Sequence, residues 1–305
     1  MLTPAPDPAS PAAAGLCFAH AALIDPIELR GASVNAAARA ILDWFLASCR
    51  GERFEQPWPL QFRADESIAG LTRRVAAIER EFSGELAKRL ARVARLARPS
   101  PVHPRGPARG LFLFFRDFDT FWCSREAVLG GQRRMADDHG APSRSYLKVE
   151  EAYGVLGRAP SAGETVVDLG AAPGGWSYSA ARLGASVLAL DNGPLKGAAL
   201  GHPLIRHEQA DAFRHAPPPG AIYDWLFCDV VDDPVKVLAL LEHWVAQRWC
   251  RRFVVNLKFG RTDPLPLLRR ATGSGEPLPR ACAALWARHL FHDREEFTLV
   301  GEIRG

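Results

Sequence analysis

Three charged residues stand where strands of this chain should begin or end, and a fourth lies on the helix that leads into them. Lys148 lies in SRSYLKVEEA, Asp229 closes AIYDWLFCD, Lys258 closes RRFVVNLK, and Glu296 opens the last apolar run in HDREEFTLV. Ligands of open α/β sheets sit outside the carboxyl ends of the strands, so charges stranded there are candidates for chemistry. A single such charge is commonly just solvated. Together the four place two cations and two anions around one cleft. Glu296 is preferred over Glu295 because it directly precedes the apolar strand.

The second chemical signal is VVDLGAAPGGWS, residues 166–177. Val166, Val167 and Leu169 suit a buried parallel strand, and Gly170, Ala171, Ala172, Gly174 and Gly175 leave the backbone of the following turn open to a ligand. The next apolar run, ASVLALDNGP, puts Asp191 at a strand terminus, where a carboxylate can accept both hydroxyls of a ribose. GAAPGG has neither the GxGxxG spacing that cradles a pyrophosphate nor the GK[ST] ending that holds a triphosphate. An adenosine ligand without phosphates fits better. Asp211, in HEQADAF, is placed to receive an adenine amino group. This spacing favours S-adenosylmethionine over NAD without excluding NAD, and a turn that serves packing alone is the plain alternative.

These residues need a scaffold. The chain alternates as helix 146–157, strand 164–169, helix 176–183, strand 186–191, strand 222–228, helix 234–248, strand 252–257 and a final strand at 296–303. That order predicts a doubly wound parallel sheet with an antiparallel edge. GGQRRMADDHGAP, at about residues 130–142, marks a boundary between this region and the one before it.

In the earlier region, Leu71, Val75, Ile78, Phe82, Leu86, Leu90, Val93 and Ala97 recur at helical spacing, which predicts one helix over 71–98, kinked or divided at Gly84. The same span holds eight Arg or Lys against three Glu, so its exposed side is basic. LFLFF and DTFWC then read as two strands around a turn at Asp117–Asp119. A basic helix beside an aromatic hairpin suits an RNA backbone and a stacked base; a solvated helix face and a core hairpin suit the residues equally. The first 16 residues, MLTPAPDPASPAAAGL, are expected to be a disordered tail.

Bulk properties set wider limits. With 305 residues the chain accommodates one large or two ordinary domains. No apolar run approaches the roughly 18 residues of a membrane span, and no signal-peptide pattern opens the chain, so a cytoplasmic location is expected. Cysteines 17, 49, 123, 228, 250 and 282 form no CxxC pair, which points to buried reduced thiols and to no metal site. A net charge of +4 is compatible with a polyanionic partner but does not demand one.

SRSYLKVEEA, VVDLGAAPGGWS, LALDNGP, FCDVV, VVNLK and HDREE together resemble the FtsJ-type ribose 2'-O-methyltransferases. LKVEEAY, DNGP, CDVVDDPVKV, the WC ahead of VVNLK and the HDREE ending are more narrowly similar to the bacterial large-subunit rRNA cytidine 2'-O-methyltransferase M family. The likeness is close over about 142–304 and looser over about 52–125.

The resemblance implies an α/β, Rossmann-like S-adenosylmethionine-dependent methyltransferase sheet at 142–305, preceded by an α+β THUMP-like RNA-binding domain at 52–130 and a reduced region at 17–51. Family members carry a ferredoxin-like region ahead of THUMP, where this chain has about 50 residues. It also implies that Lys148, Asp229, Lys258 and Glu296 form a catalytic tetrad with Lys258 as proton acceptor. Ser145, Gly170, Ala172, Pro173, Gly174, Gly175, Asp191, Asp211 and Asp229 match cofactor-contacting positions, with Trp176 flanking them. The implied partner is RNA, a cytidine of 23S rRNA or of a large-subunit precursor, and no metal is called for.

A sulfonium methyl is already activated, so such an enzyme must place a ribose hydroxyl in line with it and dispose of one proton. A lysine titrates near 10.4, and acting as a neutral base near pH 7 costs about 4 kcal/mol. Lys258 as base and Lys258 as an orienting cation both remain open. The rivals are an RNA-binding or ribosome-assembly factor that keeps the fold without turnover, and a methyltransferase acting on a small molecule or protein.

Overall fold

The computed structural model describes residues 17–99, 106–132, 135 and 137–305. The expected tail at 1–16 lies outside the described residues, as do parts of the boundary segment near 133–136. The chain forms two compact units, Ala19–Gln132 and Arg133–Gly305, the second also taking in Cys17 and Phe18.

The first unit contains β1 (Ala21–Ile24), β2 (Ile27–Arg30), α1 (Val34–Ser48), β3 (Trp58–Ala64), α2 (Leu71–Arg89), α3 (Ala91–Leu96), β4 (Ala97–Arg98), β5 (Gly106–Phe115) and β6 (Thr120–Leu129). The sheet runs β1-β6-β5-β3-β4, with β2 also paired to β6. α1 starts where the Ser33 hydroxyl accepts the Ala36 N–H at 3.1 Å. Its stripe of Ala37, Ala38, Ile41, Leu42 and Phe45 packs with Leu71, Val75, Ile78, Phe82 and Leu86 of α2 over Leu111, Leu113, Phe115 and Phe121 of the sheet. β1 and β2 pair with β6, and α1 shares a core with β3, α2, β5 and β6.

The long helix expected over 71–98 breaks, but not at Gly84. α2 continues through that glycine, and the chain leaves helical geometry at Leu90, φ −138° and ψ 67°. Leu90 is accordingly exposed, so the buried stripe ends at Leu86. The basic face is as expected: Arg73, Arg80, Lys88, Arg89, Arg92, Arg95 and Arg98 are all exposed.

The second unit contains α4 (Tyr146–Leu156), β7 (Thr165–Leu169), α5 (Gly175–Arg182), β8 (Ser186–Leu190), β9 (Ile205–Glu208), β10 (Tyr223–Cys228), α6 (Pro234–Ala246), β11 (Cys250–Lys258), α7 (Leu265–Thr272), α8 (Pro277–Ala281), β12 (Cys282–Arg288) and β13 (Glu296–Ile303). Its sheet runs β12-β13-β11-β10-β7-β8-β9. The joins from β11 through β9 are parallel, and the joins of β13 to β11 and β12 are antiparallel. The antiparallel edge therefore has two strands rather than one. β9 is short, with one apolar residue, and β12 follows α8 with no break between them; neither was expected from the sequence.

Alternation along the strands creates two cores. Val166, Trp225, Phe227, Val254 and Val300 point to the face covered by α4 and α5, with Val149, Ala152, Trp176 and Ala180. Val167, Leu169, Leu226, Phe253, Val255 and Leu257 point the other way, with Leu238, Leu241 and Trp244 of α6. α6 begins at Asp233, whose carboxylate accepts the Val235 N–H at 2.9 Å, with Pro234 in the first turn. All six cysteines are free and buried. Among the described residues no helix is long and apolar enough to cross a membrane.

Candidate active site

β11 supplies the centre of the site. Val254 lies in the α4–α5 core, and a strand returns to the same face every second residue, so Asn256 and Lys258 follow on that side. Lys258 stands directly opposite Glu296 of β13, and Asn256 opposite Thr298. Asp229 follows β10 immediately, and Lys148 is on the first turn of α4.

These residues meet. Lys258 Nζ lies 2.9 Å from Asp229 Oδ1 and donates to the Asp229 carbonyl oxygen at 2.6 Å. Lys148 Nζ pairs with Glu296 Oε1. Asn256 joins the two ion pairs by donating Nδ2 to Asp229 Oδ1 at 3.0 Å and to Glu296 Oε2 at 3.1 Å. The four charged side chains are between 9% and 23% exposed, the lysines more than Glu296, so the array is largely desolvated yet reachable. Removing one partner from so enclosed an ion pair typically costs about 3–5 kcal/mol, because it leaves the other charge uncompensated. Glu295 is exposed, so the carboxylate facing Lys148 is Glu296.

Two further carboxyls support this array. Asp293 is buried, accepts the Leu290 N–H at 2.9 Å and lies 3.2 Å from the Thr298 hydroxyl, while its other oxygen sits 4.0 Å from Lys148 Nζ. Burial pushes its carboxyl up to about 7, against the pull of the Leu290 N–H and of Lys148. Glu151 of α4 accepts the Phe291 N–H, which ties that helix to the loop before β13.

The turn after β7 lies beside this array. Gly170 has φ 75°, and a Cβ on it would meet Val230 Cγ2, one residue past Asp229, at 2.4 Å. Gly174 has φ 109°, and its Cβ would meet that of Ala199 at 2.6 Å. The Ala172–Pro173 peptide is cis. Asp191 follows β8 and holds the turn in place, with Oδ2 accepting the Ala172 N–H at 2.9 Å and Oδ1 the Gly193 N–H at 2.7 Å.

The remaining expected residues are placed differently. Ser145 shares a hydroxyl contact of 2.7 Å with Ser143, and a Cβ on Gly175 would meet both hydroxyls. Trp176 is 2% exposed, packs edge-on to Phe227 and donates its indole N–H to the Ser145 carbonyl at 2.9 Å. It orients Ser145 from within the core. Asp211 lies in an exposed turn, with its carboxylate accepting the Phe213 N–H at 2.9 Å and facing Arg214 Nε at 3.4 Å.

Asn256, Asp293 and Asp168 were missed in the sequence. Asp168 is 1% exposed on β7, bonded by the Ser177 hydroxyl at 2.6 Å, and its Oδ1 has no hydrogen-bond partner among the described residues. Burial raises its carboxyl to about 7, with the nearby Asp229 charge adding to the rise against the Ser177 bond. The usable signal was one polar residue interrupting an apolar strand, in VVDLG and in VVNLK alike. A turn without bulky side chains, anchored by a strand-end carboxylate and adjoined by an unsatisfied buried carboxyl, fits a nucleoside-type methyl donor. Among the described residues no group of His, Cys, Asp or Glu is arranged to hold a metal ion.

Comparison with known proteins finds similarity to methyltransferases. Residues 141–247 match the family model described as FtsJ-like methyltransferase. The chain is 38% identical over 240 residues to "Ribosomal RNA large subunit methyltransferase M" of Halorhodospira halophila, covering 77% of this chain and 67% of that protein. It is 33% identical over 307 residues to the protein of the same name from Chromohalobacter salexigens, covering 93% and 80%. Of further relatives so named, from Marinomonas and Laribacter hongkongensis, it spans only about half the length, 50% and 48%. The crystal structure of TrmN from Thermus thermophilus aligns over 91% of this chain and 81% of that one at 14% identity, with a TM-score of 0.38.

Proposed function

Because the chain belongs to the ribosomal RNA large subunit methyltransferase M family, we propose that it methylates a ribose 2'-hydroxyl of RNA, a cytidine of large-subunit rRNA, with S-adenosylmethionine as donor. The observation that carries this reading is the joined array of Lys148, Glu296, Asn256, Asp229 and Lys258 beside the Gly170–Gly175 turn. Gly170, Ala172, Pro173, Gly174, Gly175 and Asp191 would hold the donor, with Ser145 and Asp211 at its margins. When bound it supplies an electrophilic methyl group.

The chain's own residues do the rest. Lys258, its two N–H groups fixed on Asp229, would face the incoming hydroxyl with its lone pair and, as the neutral amine, take the hydroxyl proton while the O–CH3 bond forms and the S–CH3 bond to the donor sulfur breaks. Lys148 adds positive charge that favours the oxyanion developing as the proton leaves, and Glu296 fixes its position. The low exposure of the array excludes water that would weaken these interactions.

The unit Ala19–Gln132 serves in this proposal as a THUMP-like RNA-binding domain. Support comes from the seven exposed cations of α2, α3 and β4, which give a basic face suited to a phosphate backbone. The test is transfer from labelled S-adenosylmethionine to rRNA purified from a strain lacking the enzyme, followed by mapping of the modified nucleotide. A single 2'-O-methylcytidine in large-subunit rRNA is expected. Label on a base, on protein, or on nothing would overturn the proposal.

A further inference from the structure

Asn256 is the least expected residue of β11. Asparagine is poorly suited to strand interiors, yet this one is fully buried in the run FVVNLK. A buried carboxamide must satisfy two donors and an acceptor, and all three are satisfied here by named groups. Nδ2 donates to Asp229 Oδ1 and Glu296 Oε2 at 3.0 and 3.1 Å, and Oδ1 accepts the Thr298 hydroxyl at 3.3 Å. The amide cannot be turned round, because that would press its carbonyl oxygen against two carboxylates.

We propose that Asn256 is the positioning residue of the active centre: one uncharged nitrogen holds Asp229 and Glu296 at a fixed separation and, through them, both lysines. This rests on the proposed methyl transfer. The two carboxylates come from different strands, β13 and the end of β10, and each carries a lysine with it. A cation at position 256 would compete with Lys148 and Lys258 for them, and an apolar residue would leave them to repel. An amide supplies two protons and no charge. Asn256 touches neither substrate nor donor in this scheme and acts through its neighbours.

The experiment compares wild type with Asn256→Leu and Asn256→Asp, close in size, at saturating RNA and donor. In N256L the single-turnover rate should fall about 10- to 100-fold, the worth of buried hydrogen bonds to charged groups, while donor affinity stays within a few fold. In N256D the loss should be similar at pH 8 and shrink at least several-fold at pH 6, where a protonated carboxyl regains one donor. The groups facing that carboxyl are Asp229, Glu296, Lys148, Lys258 and Asp293, and the wild-type profile measured in parallel subtracts their own titration. An N256L rate within threefold of wild type would overturn the proposal, as would a loss in N256D that is the same at both pH values. A crystal structure of N256L should show the two carboxylates moved apart, and unchanged positions would overturn it independently of turnover. If wild type itself transfers no methyl to RNA, the reaction assignment fails, and that crystal structure alone still decides the role of Asn256.

Discussion

Lys258 and Glu296 stand directly opposite each other on β11 and β13, yet each takes its counter-ion from elsewhere, Lys258 from Asp229 and Glu296 from Lys148. Strand register brings the two side chains to one place, and pairing to the outside holds them there. The two cations are thereby anchored by carboxylates of different strands, Lys258 by Asp229 at the end of β10 and Lys148 by Glu296 of β13.

Replacement of Lys258 by alanine should remove the chemistry and leave donor binding. The single-turnover rate is expected to drop by about 10²–10⁴, the range for losing a positioned acid–base group, with the dissociation constant for S-adenosylmethionine changed no more than a few fold. Rapid-quench methyl transfer and calorimetry measure the two separately. Loss of donor binding in this variant would place Lys258 in the wrong half of the site.

Asp191→Ala should do the reverse. Its carboxylate is the acceptor for the Ala172 and Gly193 N–H groups, so the turn loses its anchor along with any ribose contact. Donor affinity is expected to weaken about tenfold or more, and stability to fall by about 1–3 kcal/mol, because two amides lose their acceptor. Calorimetry and urea unfolding read these out. Unchanged affinity would make Asp191 a turn residue only.

Much of this was legible beforehand because particular residues leave local marks. A buried strand running into small residues announced β7 and its turn, and charges at strand ends announced Asp229, Lys258 and Glu296, which the fold brings together with Lys148 of the helix before the sheet. Asn256 and Asp168 left only the mark of one polar residue in an apolar strand, and Asp293 none, because what Asn256 and Asp293 do depends on partners as distant in sequence as Asp229 and Lys148. The packing of Trp176 against Phe227 was equally illegible, because the two residues lie on different elements far apart in sequence. The break at Leu90 is a tertiary effect too, since 91–96 forms a separate short helix leading into β4 beside β3.

The buried Asp293 makes a pH prediction. In the folded protein its carboxyl keeps a proton up to about 7, whereas in the unfolded chain it ionises near 3.9. Between those values the folded state binds more protons, so this group's contribution to stability is lost as pH rises through that window. Asp293→Asn removes that dependence. Wild type and D293N should differ little at pH 4, and the variant should gain relative to wild type by pH 8, by at most about 4 kcal/mol. Asp168, raised in the same direction, keeps some slope in both proteins. Urea unfolding at the two pH values decides it, and a constant difference would show that Asp293 is ionised in the fold.

The basic face of the first unit makes a prediction about salt. Arg73, Arg80 and Arg92 are exposed on α2 and α3, and a cation that contacts phosphate releases a counter-ion on binding. Replacing all three by alanine should weaken RNA binding and flatten the plot of log affinity against log salt by about 2 to 3, because each phosphate contact contributes about 0.7 to 0.9. Surface arginine substitutions of this kind seldom move stability by more than about 0.5 kcal/mol, so the melting temperature should hold. A weaker affinity with an unchanged slope would mean that the arginines shape the surface without touching phosphate. An unchanged affinity would remove this face from RNA recognition and leave binding to the methyltransferase unit.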